Sequence, residues 1–260
     1  MTEMQARTWA AVPPKFVAGS DEVGYGALAG PLVVCAVCAP YSWSIPGLAD
    51  SKALTENARY DLTAQLYVEN RANRLRIQLV QVDSWRIDEL GVQTALRKAH
   101  DSALSSASAD VKGILSRSDL DLMLVADGDL ILPGSVVSLP KADTFVPQVM
   151  AASIVAKHVR DGFMKDMAEH FPGYGFERNV GYGTKEHYAA IEKLGPCSLH
   201  RKSYAPFREN AHACRDGEYN QLVQEAHGEP SQGQRDTVKS DQDVHPKRRT
   251  SNKPKRKADS

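Results

Sequence analysis

Apolar and polar positions first fall into order at Phe16. FVAGSDEV (16–23) and PLVVCAV (31–37) both carry strand patterns, the second as a continuous apolar run. The connection between them is too short for a parallel crossover, so the two strands are predicted to pair antiparallel. LADSKALTENARYDLTAQLYVEN then leads into a helix that Thr55 caps and that runs to about Glu69. RLRIQLVQVD (74–83) has the alternation of a third strand, and SWRIDELGVQTALRKAHDSAL (84–104) reads as one helix. DLMLVADG (121–128) is a short apolar strand ending in Asp-Gly, and SVVSLP (135–140) another short strand. In 145–171 the residues Val149, Ala152, Ala156, Val159, Phe163 and Met167 recur at helical spacing, which predicts one buried stripe, with Pro147 in the first turn. Thr184 caps a short helix ending at Gly195.

Both ends depart from this order. Residues 1–15 lack periodicity and close on Val12-Pro13-Pro14, an irregular lead-in. From Gly228 almost no apolar residue remains, so 228–260 cannot bury enough surface to offset the entropy of ordering and reads as a disordered tail. That leaves one domain over 16–227.

Composition refines the picture. The chain of 260 residues is 42% hydrophobic and 25% charged, values of a globular protein, and its 32 basic residues equal its 32 acidic ones. The balance conceals a basic end: Lys239 to Ser260 holds eight Lys or Arg against three Asp. This tail is either a solvated terminus or a nonspecific tether for nucleic acid. No apolar run approaches the roughly 20 residues that span a bilayer, and the first fifteen residues lack a secretory core, so the expectation is a cytoplasmic protein with no membrane partner. Four cysteines need no disulfides in that compartment. Cys35 and Cys38 are three apart on a strand, point to opposite faces, and are expected as buried thiols rather than a zinc or redox pair.

The chemistry is carried by carboxylates. Hard divalent cations take oxygen ligands, and Asp21 and Glu22 at the end of the first strand, Asp127 at the end of DLMLVAD, and Asp143 just before the long helix would supply them if those ends converge. Each residue also has an ordinary role, as a turn former or, for Asp143, a helix N-cap. Geometry raises an objection as well. Neighbours on a regular strand face opposite ways, so Asp21 and Glu22 are expected to share a site only if the strand bends or ends there.

GSDEVGYGALAGP (19–31) closely resembles the first motif of ribonuclease HII, the type 2 ribonuclease H family. LADSKALT, VADG, KADTFVPQVMAASIVAKHVRD, FPGYGF, GYGTKEH and GPCSLHRKSYAP resemble that family's later blocks, in order, over about Val17 to Phe207. The resemblance implies an α/β RNase H-like fold, a mixed five-stranded sheet flanked by helices with a small C-terminal helical extension. It implies two divalent ions, Mg²⁺ or Mn²⁺, held by Asp21, Glu22, Asp127 and Asp143. The implied reaction is hydrolysis of the phosphodiester 5′ to a ribonucleotide, in RNA/DNA hybrids and in DNA duplexes with embedded ribonucleotides, leaving a 3′-hydroxyl and a 5′-phosphate. A monomer is expected.

The same resemblance implies the substrate contacts. Gly24, Tyr25 and Gly26 would approach the 2′-hydroxyl through backbone groups, and Tyr182 would stack on the sugar that follows. Lys52 and Lys157, helped by Ser51 and Ser153, would meet phosphates, which position a duplex without reading it. Arg201 and Lys202 are further phosphate candidates, while His187 and His200 read as structural. One position departs from the family, which usually has arginine where this chain has Tyr25; losing a guanidinium removes a permanent charge and its donors. Two rivals remain open: a ribonuclease HIII-like hybrid nuclease, and another two-metal nuclease of the same fold such as a junction resolvase.

Overall fold

The computed structural model describes residues 13–116 and 119–207. The expected lead-in through residue 12, the end of the domain from residue 208 and the basic tail lie outside the described residues.

Among the described residues, the strands are β1 (Phe16–Val23), β2 (Leu32–Pro40), β3 (Arg76–Val82), β4 (Leu122–Asp127) and β5 (Val136–Leu139). They form one five-stranded sheet in the order β3-β2-β1-β4-β5. β1 pairs antiparallel with β2, as the short connection predicts, and parallel with β4. β2 and β3 are antiparallel, β4 and β5 parallel. The sheet is therefore mixed, and β1, its central strand, is where the antiparallel half meets the parallel half.

The helices are α1 (Glu56–Arg71), α2 (Ser84–Leu90), α3 (Val92–Ile114), α4 (Pro147–His170), α5 (Phe176–Asn179) and α6 (Lys185–Leu194), with a 3₁₀ turn over Ala142–Thr144. Thr55 and Thr184 cap α1 and α6 through their hydroxyls, which accept from Ala58 N–H and His187 N–H, and Pro147 opens α4. The single helix expected over 84–104 is two. Gly91, at φ 75 and ψ 141, ends α2 and begins α3, a left-handed position that breaks the hydrogen-bond ladder and that glycine takes without a Cβ clash.

Each sheet face has its own core. On one, Ala18, Leu32, Val34, Ala36 and Cys38 pack against Ile87 of α2 and Leu96, Ala99, Ala103 and Leu104 of α3. On the other, Val33, Cys35 and Val37 pack against Ala151, Ala152, Ile154 and Val155 of α4 and Leu62 and Leu66 of α1. Cys35 and Cys38 thus lie buried on opposite faces as free thiols. The single buried stripe expected for α4 is too narrow: Ala151 through Ala156 are all buried, because α4 is sandwiched between the sheet and α1.

The seam between β1 and α4 is tight. A Cβ on Gly19 would stand 2.6 Å from the backbone nitrogen of Val149, and backbone cannot move aside as a side-chain end can. Gly19→Ala is expected to lower unfolding free energy by roughly 1–3 kcal/mol, the usual cost of overpacking. Urea denaturation checks this, with an unchanged midpoint as the contrary outcome.

Candidate metal centre and duplex-binding cleft

Parallel pairing of β1 with β4 runs to Ser20↔Ala126, which places Asp21 and Asp127 side by side one position beyond the last paired rung. Both face α4. The turn before α4 brings in Asp143, whose backbone N–H donates to Asp127 Oδ1 at 3.4 Å. Asp21, Asp127 and Asp143 can each offer an oxygen such that all three atoms lie within 4.8 Å of one another. Asp21 and Asp143 are buried, only 6% and 5% exposed, so water does little to screen the repulsion. Burial, then the charge of Glu22, push the Asp21 carboxyl up to about 8, with Asp127 adding to the effect and a hydrogen bond from Ser153 opposing it. Asp143 is raised by burial and by Asp127.

Glu22 is placed differently. β1 neither bends nor ends at Glu22 but runs on to Val23, so strand alternation holds and the Glu22 side chain leaves on the α3 face. There its Oε2 meets His100 Nε2 at 3.1 Å. The gathered carboxylates are therefore Asp21, Asp127 and Asp143, with Glu22 near enough to raise Asp21 but outside the cluster.

Around the cluster stand several other expected residues. Ser51 and Ser153 share a hydrogen bond of 2.7 Å, and Lys52 Nζ lies 3.8 Å from Asp143 Oδ2 with its side chain 78% exposed. Desolvation opposes the Lys52 charge, but Asp143, Asp50, Asp21 and Asp127 outweigh it and raise the ammonium. Lys157, one helical turn beyond Ser153, is engaged by Asp161 at 2.8 Å.

The loop between β1 and β2 is held from behind. Gly24, at φ +88, would put a Cβ 2.1 Å from Arg160 Nε, so only glycine fits. Its N–H donates to Tyr182 Oη at 3.2 Å. Gly26 is the opposite case, with nothing within 4 Å of a Cβ there, so the protein leaves that space open. Tyr25 turns its hydroxyl to Gln93 of α3, which donates through Nε2 at 2.5 Å. Arg160 donates to the carbonyls of Pro31 (2.8 Å), Ala29 (3.0 Å) and Val180 (2.8 Å). Arg201 donates to those of Gly30 (Nε, 3.1 Å) and Tyr25 (Nη1, 2.9 Å). Arg201 is fully buried, so it is a loop clamp rather than the phosphate contact the sequence offered it as.

His187 and His200 are structural, as expected. Cys197 N–H donates to His200 Nδ1, so His200 carries its hydrogen on Nε2 and donates it to His187 Nε2 at 3.1 Å. His187 Nδ1 then donates to the Tyr182 carbonyl at 2.9 Å. Burial pushes His200 down to about 3 and lowers His187, which keeps both neutral as this chain of bonds requires. His100, Gln93, Arg160 and the inward role of Arg201 escaped the sequence reading, which took the loop glycines as backbone approaching a ribose.

A mixed five-stranded sheet in this order, flanked by helices and with a carboxylate cluster at the ends of two adjacent strands, is an RNase H-like fold. Solved structures of that fold superimpose on the chain. Ribonuclease H2 from Pyrococcus horikoshii does so at TM-score 0.54 and 23% identity, covering 75% of this chain and 96% of its own. Bst-RNase HIII, determined in complex with Mn²⁺, gives 0.56 and 18%, covering 77% and 70%. The family model for ribonuclease HII matches residues 18–207. Ribonuclease HII of Bacillus cereus is 40% identical over 194 residues, 75% of this chain and 70% of the relative. The chain belongs to the ribonuclease HII family and has ribonuclease H activity. Among the described residues no helix is long and apolar enough to cross a membrane.

The raised Asp21 carboxyl makes the metal-free fold pH-sensitive. Its folded value of about 8 exceeds the ordinary 3.8, so its contribution to stability is complete below 3.8 and is lost as pH rises through about 8. Asp21→Asn, measured with chelator present, is expected to melt above the parent by at least ~2–4 °C near pH 9, the shift that about 1 kcal/mol produces in a chain of this size. The gap closes near pH 4. A variant no more stable than the parent at the alkaline end overturns the account.

Proposed function

We propose that this chain cleaves the phosphodiester 5′ to a ribonucleotide, in RNA/DNA hybrids and in DNA duplexes with embedded ribonucleotides, with Mg²⁺ or Mn²⁺ at Asp21, Glu22, Asp127 and Asp143. The observation that carries the reading is the acidic cluster beside a glycine loop with open space in front of it.

The donor set fits a hard divalent cation. Every candidate ligand is a carboxylate oxygen, the kind Mg²⁺ and Mn²⁺ prefer. Buried carboxylates this close repel, and the proton that Asp21 holds to about 8 marks a position where positive charge is favoured. When bound, two divalent ions at such a cluster supply the charge that activates water near neutral pH and stabilises the departing oxygen. Mn²⁺ in complex with Bst-RNase HIII supports the choice of ion.

The chain's own residues do the rest. Gly26 presents backbone without side chain, so a ribose 2′-hydroxyl, donor and acceptor at once, can be met by main-chain groups. Tyr182, tied to Gly24 N–H through its hydroxyl and under the Arg160 guanidinium at 5.3 Å, is held where it can stack on a sugar beside the loop. Lys52, exposed next to Asp143, is free to swing to a phosphate. Lys157 would have to leave Asp161 to do the same, which ranks it below Lys52.

Asp127→Asn is expected to abolish turnover in Mg²⁺ while leaving the fold intact, as circular dichroism checks. The assay offers a DNA duplex with one ribonucleotide, an RNA/DNA hybrid and a four-way junction. Cutting of the first on the 5′ side of the ribose supports the reading; cutting of the hybrid alone, or of the junction, overturns it in favour of a rival.

Tyr25→Arg restores a cation at the loop and is expected to lower the Michaelis constant for the single-ribonucleotide duplex roughly 3- to 10-fold. An unchanged or higher constant in steady-state kinetics counts against the loop as a substrate contact.

A further inference from the structure

Facing Glu22 across the α3 side of the sheet is a histidine that neither the metal-ligand set nor the substrate contacts use. His100 is completely buried, and both of its ring nitrogens are taken by β1: Nδ1 by Ser20 Oγ at 2.8 Å and Nε2 by Glu22 Oε2 at 3.1 Å. Ser20 and Glu22 are two apart on a strand and share its α3 face, so one imidazole spans them. A carboxylate oxygen only accepts, so Nε2 carries a hydrogen and donates it to Glu22, while Nδ1 is paired with Ser20 Oγ, which also lies 3.5 Å from the Val125 carbonyl oxygen. Ser20 is itself fully buried. The ring is thus tied at both ends, to Ser20 and to Glu22.

A histidine there for packing alone would need only shape, and the surrounding residues Leu96, Ala99, Ala103 and Leu104 are apolar. Polar groups are buried among apolar ones at a cost unless each finds a partner, and here each finds one on the strand that carries Asp21 and Glu22. Glu22 needs such a restraint. It leaves β1 on the face away from Asp21 and is 24% exposed, so without His100 its carboxylate would be free to turn to solvent. The contact at Oε2 restrains the carboxylate, and among the described residues Oε1 makes no hydrogen bond, so it is left for another partner.

We propose that His100 is a positioning residue, which, together with Ser20, restrains the Glu22 carboxylate at the edge of the acidic cluster, where it can turn to a divalent ion bound there. The proposal rests on the reading of Glu22 as a metal ligand. A hydrogen-bond donor behind a ligating carboxylate orients it, and loss of such partners costs about 10- to 100-fold in metal affinity or activity.

Mn²⁺ titration calorimetry of the metal-free full chain tests this, alongside the Mn²⁺ dependence of cleavage. His100→Met keeps an apolar filling of similar volume without the donor. It is expected to weaken Mn²⁺ affinity about 10- to 100-fold and to raise the Mn²⁺ concentration for half-maximal activity in step. His100→Gln, which retains a donor, is expected to recover most of that loss, and Ser20→Ala to shift both readouts in the same direction by less. A folded His100→Met with parental Mn²⁺ affinity, or a His100→Gln no better than it, overturns the proposal. Should His100→Met fail to fold, parental affinity in Ser20→Ala overturns it instead. Glu22→Gln separates the two layers: if it binds Mn²⁺ as the parent does, the ligand reading of Glu22 falls and takes the proposal with it. If it binds weakly while His100→Met does not, only the positioning role falls.

Discussion

Two buried guanidinium groups hold the loop between β1 and β2 in place beside the carboxylate cluster. The turn between β1 and β2 leaves the strand ladder beyond Val23, so several of its carbonyls need donors from elsewhere, and a buried carbonyl without a donor is costly. Arg160 of α4 and Arg201 beyond α6 supply those donors, reaching Pro31, Ala29, Gly30 and Tyr25. Burial pushes the Arg160 guanidinium down to about 10, still well above neutrality, and Arg201 is lowered for the same reason, so both remain charged. A planar fork of donors suits several carbonyls at once where a lysine would serve one or two. The glycines follow from this arrangement: Gly24 has no room for a side chain because Arg160 is there.

With the loop clamped, the carboxylate cluster can afford to be uncomfortable. Asp21, Asp127 and Asp143 come from the central strand, its parallel neighbour and the turn into α4, elements bound to one another by ladder hydrogen bonds and packing rather than by the carboxylates. The fold can therefore impose a repulsion that the side chains alone would relieve by separating. Gly19 contributes by letting α4 lie against β1, which sets how near Ser153 and Asp143 come to Asp21. The cost appears as a carboxyl that keeps its proton in the absence of a cation.

Strand alternation divides the two adjacent acidic residues. Asp21 faces α4 and joins the cluster, whereas Glu22 faces α3 and is met by His100. The central strand thus carries an acidic side chain on each face, with a different helix behind each.

The chain's periodicity determined the strands, the antiparallel start of the sheet, the caps at Thr55 and Thr184, and the opposite faces of Cys35 and Cys38. These rest on interactions among residues close in sequence, where hydrophobic period and capping chemistry act directly. Residue types also singled out the acidic residues at the ends of β1 and β4, since a strand's end is fixed by its own pattern. The break at Gly91 was visible in the sequence but not decided by it, because a glycine inside a helical pattern breaks it only when packing requires a change of direction. The remainder belonged to tertiary structure alone. Ser20 meets His100 across 80 positions, Arg160 meets Ala29 across 131 and Arg201 meets Gly30 across 171. A buried histidine or arginine within an amphipathic helix looks the same in sequence whatever it touches. Only the fold, by bringing those positions together and excluding water between them, decided which carboxylate is gathered, which is held by an imidazole, and which cations turn inward to support the loop.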